Sequence, residues 1–338
     1  MRDCRALAAI TVGGVLAFMG CGKHETRPLS VVRMGYFTNI THAQALIGVS
    51  RGDFQKALGN LKLETMVFNA GPSVVEAMFA GRLDCSFIGP SPAINGYVKS
   101  GGKAFKIVCG AAANGVVIVA RPGSGIEKLE DLAGKRIATP QFGNTQDISA
   151  RVYISKKLGC SIGEAAGQTR IIPIPNAEQL EVFKKGDIDA SWVPEPWGAR
   201  CVNDAGAQII AEEKDLWSDT MFATTVFIVS EDFLNNHPYQ VEMLVRTLVD
   251  ITEWINANKA EAAALVNDQL RSITGKSLRP EILSEAFSRV TFTNDPLPAS
   301  VSTCARWAFE AGMMKETPDV SAIVDSRFID RILNGSVK

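Results

Sequence analysis

An α/β protein with two lobes and mainly parallel sheets is predicted by three observations. Strand and helix signals alternate along the whole chain, and strands separated by helices favour parallel pairing. Once an N-terminal leader is set aside, about 310 of the 338 residues remain, enough for two cores. The two halves also echo one another: "AMFAGRLDCSFIG" and "VFKKGDIDASWVP" each read as helix, glycine, charged residue and strand.

Residues 1–20 read as an export signal. Arg2 and Arg5 mark a charged start, and Ala6 to Met19 is an apolar run, shorter than the roughly 20 residues that cross a bilayer. "FMGCGK" resembles the end of a lipoprotein signal. Gly20 and Cys21 match it, with Cys21 lipidated as the new N-terminus, while Phe18 replaces the usual leucine. Residues 21–30 then form a tether.

"LSVVRMGYF" is the first strand, and Thr38 or Asn39 caps the helix that follows. "LKLETMVF" is a second strand ended by the turn Asn69-Ala70-Gly71-Pro72-Ser73, then a helix to Gly81, the strand "DCSFIG" and a helix opened by Pro90. "FKIVCGAAANGVVIVA" gives two strands meeting at Asn114-Gly115. From Arg121 the pattern restarts. "KRIATP", "QTRIIPIP", "DIDASWV", "AQIIAEE" and "TTVFIVS" are strands, with helices over "GNTQDISARVYISKKLG" and "NAEQLEVFKK". Beyond Glu231 the chain is mainly helical, with a break near Asn258.

Charge and cysteine usage exclude several classes. Lys and Arg number 35 against 36 Asp and Glu, with no basic stripe or tail, so no nucleic-acid partner is expected. Among seven cysteines, Cys85, Cys109, Cys160, Cys201 and Cys304 lie in apolar or helical contexts without a CxxC pair, which reads as buried free thiols. No P-loop, nucleophile elbow or metal-ligand spacing appears, so no cofactor, metal or catalytic residue is expected.

Five stretches, "GYFTNITHAQAL", "EAMFAGRLDCSFIGPSPAINGY", "LEDLAGKRIATPQFGNTQD", "FKKGDIDASWVPEPW" and "TTVFIVSEDFLNNHP", carry a family likeness. The chain resembles solute-binding proteins of ATP-binding-cassette importers, in the branch for aliphatic sulfonates, taurine, nitrate and thiamine-pyrimidine precursors. The resemblance implies a two-lobed periplasmic-binding-protein fold of type II character with a helical tail. Residues 31–119 and 224–338 would form a discontinuous first lobe and 120–223 the second. It implies a monomer, anchored by lipid in the periplasm or on the outer cell surface, that closes on a small anionic or zwitterionic solute and docks on a permease with its cytoplasmic ATPase. A sensory binding domain and a pyrimidine-forming enzyme are the rival readings; the latter needs clustered Cys and His, absent here.

Ligands of open α/β sheets lie beyond the carboxyl ends of strands, which selects the candidate residues. Gly143, Asn144 and Thr145 open a helix and either cap it or offer donors to an oxyanion. Pro90 and Ser91 are the first-lobe counterpart, again cap or donor. Asn39, Thr41 and His42 follow the first strand, His42 as a contact rather than a base. Asn114 and Gly115 stand at the hinge, as a close backbone approach or a plain turn. Trp192 and Trp197 are expected to wall the pocket. Glu195, held between Pro194 and Pro196, either meets a ligand ammonium or bridges the lobes, since a carboxylate beside a sulfonate is costly.

Overall fold

The structure, a computed structural model, describes residues 29–218 and 220–335. The expected export signal, Cys21 and most of the tether lie outside the described residues. Two sheets form the frame. The first has the order β11-β4-β10-β3-β1-β2 and the second β7-β6-β8-β5-β9. In chain order the strands are β1 (Val31–Phe37), β2 (Lys62–Phe68), β3 (Cys85–Ile88), β4 (Phe105–Asn114), β5 (Val116–Ala120), β6 (Arg136–Thr139), β7 (Arg170–Pro173), β8 (Ala190–Pro194), β9 (Gln208–Glu212), β10 (Ala223–Ser230) and β11 (Val290–Phe292).

Between the described strands, parallel pairing joins only β2-β1-β3 and β7-β6-β8. β10, β4, β11, β5 and β9 are all joined antiparallel, so the sheets are mixed rather than mainly parallel. The reason is the path between lobes: β4 leaves the first sheet and β5 enters the second directly, and β10 returns beside β4. Helices cover both sheets. β1 and β3 to β5, buried along nearly their whole length, read as apolar runs, whereas edge strand β2 is largely exposed.

The crossing falls at Asn114-Gly115, not near Ala120 as expected, because all of β5 pairs with β8 and β9. Both residues have positive φ, 60° and 71°, the left-handed region that Asn tolerates and Gly favours. A Cβ on Gly115 would meet Val290 Cγ2 at 2.5 Å. The tail holds helices Pro238–Ala257 and Lys259–Thr274, broken at Asn258, then Pro280–Arg289 and Pro298–Glu310. Its short β11 extends the first sheet along β4. No described helix is long and apolar enough to cross a membrane.

Candidate functional site

Between the sheets lies a cavity of about 30 Å3. Its wall is built from the carboxyl ends of six parallel strands: Phe37, Asn39, Thr41 and His42 after β1, Asn69 to Gly71 after β2, Gly89 and Pro92 after β3, Asn144 to Gln146 after β6, Asn176 after β7, and Pro194 at the end of β8. Thr224 joins from the start of the antiparallel β10. Four helices, Gly71–Phe79, Pro90–Lys99, Thr145–Val152 and Asn176–Lys185, begin at or beside this wall. Each presents the positive end of its dipole, and three present early amides without an intrahelical carbonyl; in Pro90–Lys99, Pro90 and Pro92 carry no N–H, which leaves the Ser91 amide. Among the described residues, no Lys, Arg, Asp or Glu lines the cavity.

The loop before the helix Thr145–Val152 resolves its own ambiguity. Asn144 Oδ1 accepts from the Asp147 amide at 3.0 Å, and its Nδ2 donates to Gln146 Oε1 at 3.0 Å. Asn144 is therefore a helix cap. Asp147, fully buried, accepts from Thr139 Oγ1 at 3.0 Å, from the Gly143 amide at 2.9 Å and from Arg151 Nε at 2.8 Å. That carboxylate locks the loop and takes the Gly143 amide away from the cavity. The Thr145 hydroxyl, by contrast, is buried without a hydrogen-bond partner, as is Asn176 Oδ1. Buried polar atoms are normally satisfied, so these two mark groups left for something else to complete. Thr145 Oγ1 also faces Gly89 so closely that a Cβ there would lie 2.6 Å away; the two lobes touch at this point.

His42 is fully buried and its pKa is lowered to about 3 by that burial. Nδ1 accepts from the Phe37 amide at 3.4 Å, which leaves the proton on Nε2 and makes the neutral ring a donor. The ring lies 4.3 Å from Phe37, centroid to centroid.

Several expected contacts fall elsewhere. Pro90 and Ser91 are absent from the wall, replaced by Gly89 and Pro92; Ser91 is buried, and its hydroxyl has no hydrogen-bond partner among the described residues. Asn114 and Gly115 are used by the hinge: the Asn114 amide donates to Phe222 O at 3.0 Å, and the Glu195 amide to Gly115 O at 2.8 Å. Glu195 is fully buried, but its Oε1 meets Arg289 Nη1 at 2.8 Å and its Oε2 accepts from the Ala199 amide at 3.0 Å. Burial raises its pKa, against the Ala199 amide and Arg289. Arg289 comes from the tail, so Glu195 bridges the lobes, and it is not among the residues lining the cavity. Trp197 stands at the mouth, where Nε1 donates to Asn39 Oδ1 at 3.0 Å. Trp192 is not in the cavity wall, and its Nε1 donates to Glu213 at 2.6 Å.

From the cavity a groove of about 600 Å3 leads outward, sharing Asn39, Asn69 and Asn176 with it. Phe68, Pro175, Pro196 and Trp197 supply apolar surface, and Glu178, Glu181, Arg200 and Arg279 lie along it. Arg279 Nη2 pairs with Asp204 Oδ1 at 3.0 Å across the groove. Asn69, Gln146, Asn176 and Thr224 were not among the residues selected from sequence. The strand-end rule that selected Asn39 reaches Asn69 and Asn176 too, since both follow strands legible in the chain. Nothing local singles out Thr224, which arrives from an antiparallel strand.

A protein of Bacillus subtilis (strain 168), provisionally named an aliphatic sulfonates-binding protein, is 25% identical over 334 residues, covering 96% of both chains. The taurine-binding periplasmic protein of Escherichia coli (strain K12) is 26% identical over 192 residues, 56% of this chain and 57% of its own. The solved structure of the alkanesulfonate-binding protein SsuA from Xanthomonas axonopodis pv. citri, bound to MOPS, superposes with a TM-score of 0.72 at 19% identity, covering 88% of this chain and 98% of its own. That likeness shows the two-lobed fold. The relatives are named as binding proteins. A family model described as the NMT1-like family matches residues 25–267, and the chain belongs to that family.

Proposed function

We propose that this protein is the extracytoplasmic solute-binding component of an ATP-binding-cassette importer, and that its solute is an alkanesulfonate with an uncharged tail. The observation that carries this reading is the cavity wall: four converging helix starts and neutral donors, with no charged side chain. A sulfonate has three weakly basic oxygens, and such an anion is well served by amide and hydroxyl donors with helix dipoles behind them. The Thr145 hydroxyl, the His42 Nε2 proton and the amides of Thr145 and Gln146 would hold the head. The tail would run along the groove past Phe68 and Trp197. Binding would be completed when the second lobe closes on the first, since the donors come from both.

Taurine is the second reading, favoured by Glu178 and Glu181 in the groove and by the name of the E. coli relative. Glu195 is no longer available to read its ammonium. A thermal-shift series with ethanesulfonate, taurine and nitrate separates the readings, because a ligand specific to the folded state raises the midpoint. Ethanesulfonate is expected to give the largest shift at equal concentration. A larger shift with taurine would transfer the assignment to Glu178 and Glu181, a nitrate-only response would show that the groove is not used, and silence from all three would remove the sulfonate reading.

A further inference from the structure

A second cavity, of about 110 Å3, shares no lining residue with the solute cavity. Its walls are Val152, Tyr153, Trp192 and Leu216 of the second lobe and Trp307 of the tail helix Pro298–Glu310. Tyr153 and Trp192 pack with centroids 6.0 Å apart, and Trp307 lies 4.3 Å from Trp217. One carboxyl group, Glu213, reaches this wall. Its oxygens accept from Ser149 Oγ and Trp192 Nε1 at 2.6 Å each, and from Trp217 Nε1 at 3.4 Å. With three donors in place, it presents little unsatisfied polarity, and the remaining wall is apolar.

The mouth has the opposite character. Val152, Lys157 and Trp307 are shared with an adjoining surface pocket that also holds Lys156, Arg306 and Glu310. Glu310 is 3.7 Å from Arg306. Lys156 and Lys157 are exposed and have no carboxylate partner among the described residues. A wide π-helical turn over Tyr153–Lys157, in which the Leu158 amide donates to Tyr153 O at 3.0 Å, carries both an inner ring and the outer lysines. Such turns recur at functional sites.

We infer that this rear cavity is a second binding site, for an organic monoanion with a single aromatic ring or short apolar body: the body enters among Tyr153, Trp192 and Trp307, and the acidic head stays outside with Lys156, Lys157 and Arg306. An apolar cavity of roughly 150 Å3 accepts benzene; this one is smaller, about 110 Å3, and adjoins the surface pocket at its mouth, so a ring would enter it in part. The identity of the front solute does not enter the inference.

The test uses benzoate and benzyl alcohol as probes, read by quenching of tryptophan fluorescence in the purified full-length protein. Saturable quenching by benzoate is expected, at least tenfold weaker for benzyl alcohol, and unaffected by saturating ethanesulfonate. Leu216→Trp fills the cavity and should remove the benzoate signal while leaving the ethanesulfonate thermal shift in place. Lys156→Glu with Lys157→Glu, at exposed positions that folding does not need, should weaken benzoate about tenfold. Equal binding of benzyl alcohol, displacement by ethanesulfonate, indifference to the two charge reversals, or no saturable quenching would each overturn the assignment.

Discussion

The front and rear cavities are built from similar parts and treat them oppositely. In front, Thr145 Oγ1 and Asn176 Oδ1 are buried with no partner, and the titratable group, His42, is held neutral by burial alone. At the rear, Glu213 is as deeply buried but takes three donors from its neighbours. Unsatisfied polar atoms in a water-poor space point to a missing guest, whereas a satisfied group is part of the wall. A perturbed ionisable residue therefore locates a binding site only together with its partners.

The comparison can be broken by titration. His42 is lowered from 6.5 to about 3, so the unfolded chain binds a proton that the folded one refuses. Its contribution is present above pH 6.5 and is lost as pH falls toward 3, up to about 5 kcal/mol in total. Denaturant unfolding from pH 7 to 4 should show this as a falling midpoint that His42→Gln flattens. Glu213 has the reverse sign. Burial raises it from 4.5 to about 7, so its stabilisation is full below pH 4.5 and declines by about 3 kcal/mol as pH rises through 7. Glu213→Gln should abolish that decline in the same assay. Between pH 4.5 and 6.5 the two slopes oppose each other, and the wild type should be flatter than either variant.

Smaller effects sharpen the contrast in binding. Thr145→Val keeps shape and removes the open hydroxyl; stability should hold within about 0.5 kcal/mol while ethanesulfonate affinity falls roughly tenfold or more, as for a lost hydrogen bond to a charged group. Calorimetric titration measures it. An unchanged affinity would mean that Thr145 does not hold the head. Trp197→Phe removes the 3.0 Å bond to Asn39 but keeps an apolar wall, and a loss of no more than about fivefold is expected in the same titration.

Much of the frame was legible because burial is written in patterns. The strands from "LSVVRMGYF" to "TTVFIVS" are apolar runs bounded by Gly, Pro and Asn. The strand-end rule reached Asn39, Thr41, His42, Asn144 and Thr145, which the structure brings to one wall. Illegible were facts set by distant partners. Glu195 between two prolines gave no sign that Arg289, 94 residues on, would claim it. Trp192 and its neighbours alternate across β8, and only the sheet order decides that its ring faces Glu213. β11 was missed because three residues after a helix carry almost no periodic signal.

On the proposed reading, the front wall would hold its anion mainly through helix starts rather than through charged side chains. Main-chain amides are common to nearly every residue type, so the head-group site would tolerate extensive divergence of the chain as long as the helices still begin there. Tail preference, resting on side chains such as Phe68 and Trp197, has no such protection. Proteins built on this plan would be free to change which molecule they carry while continuing to hold the same chemical handle.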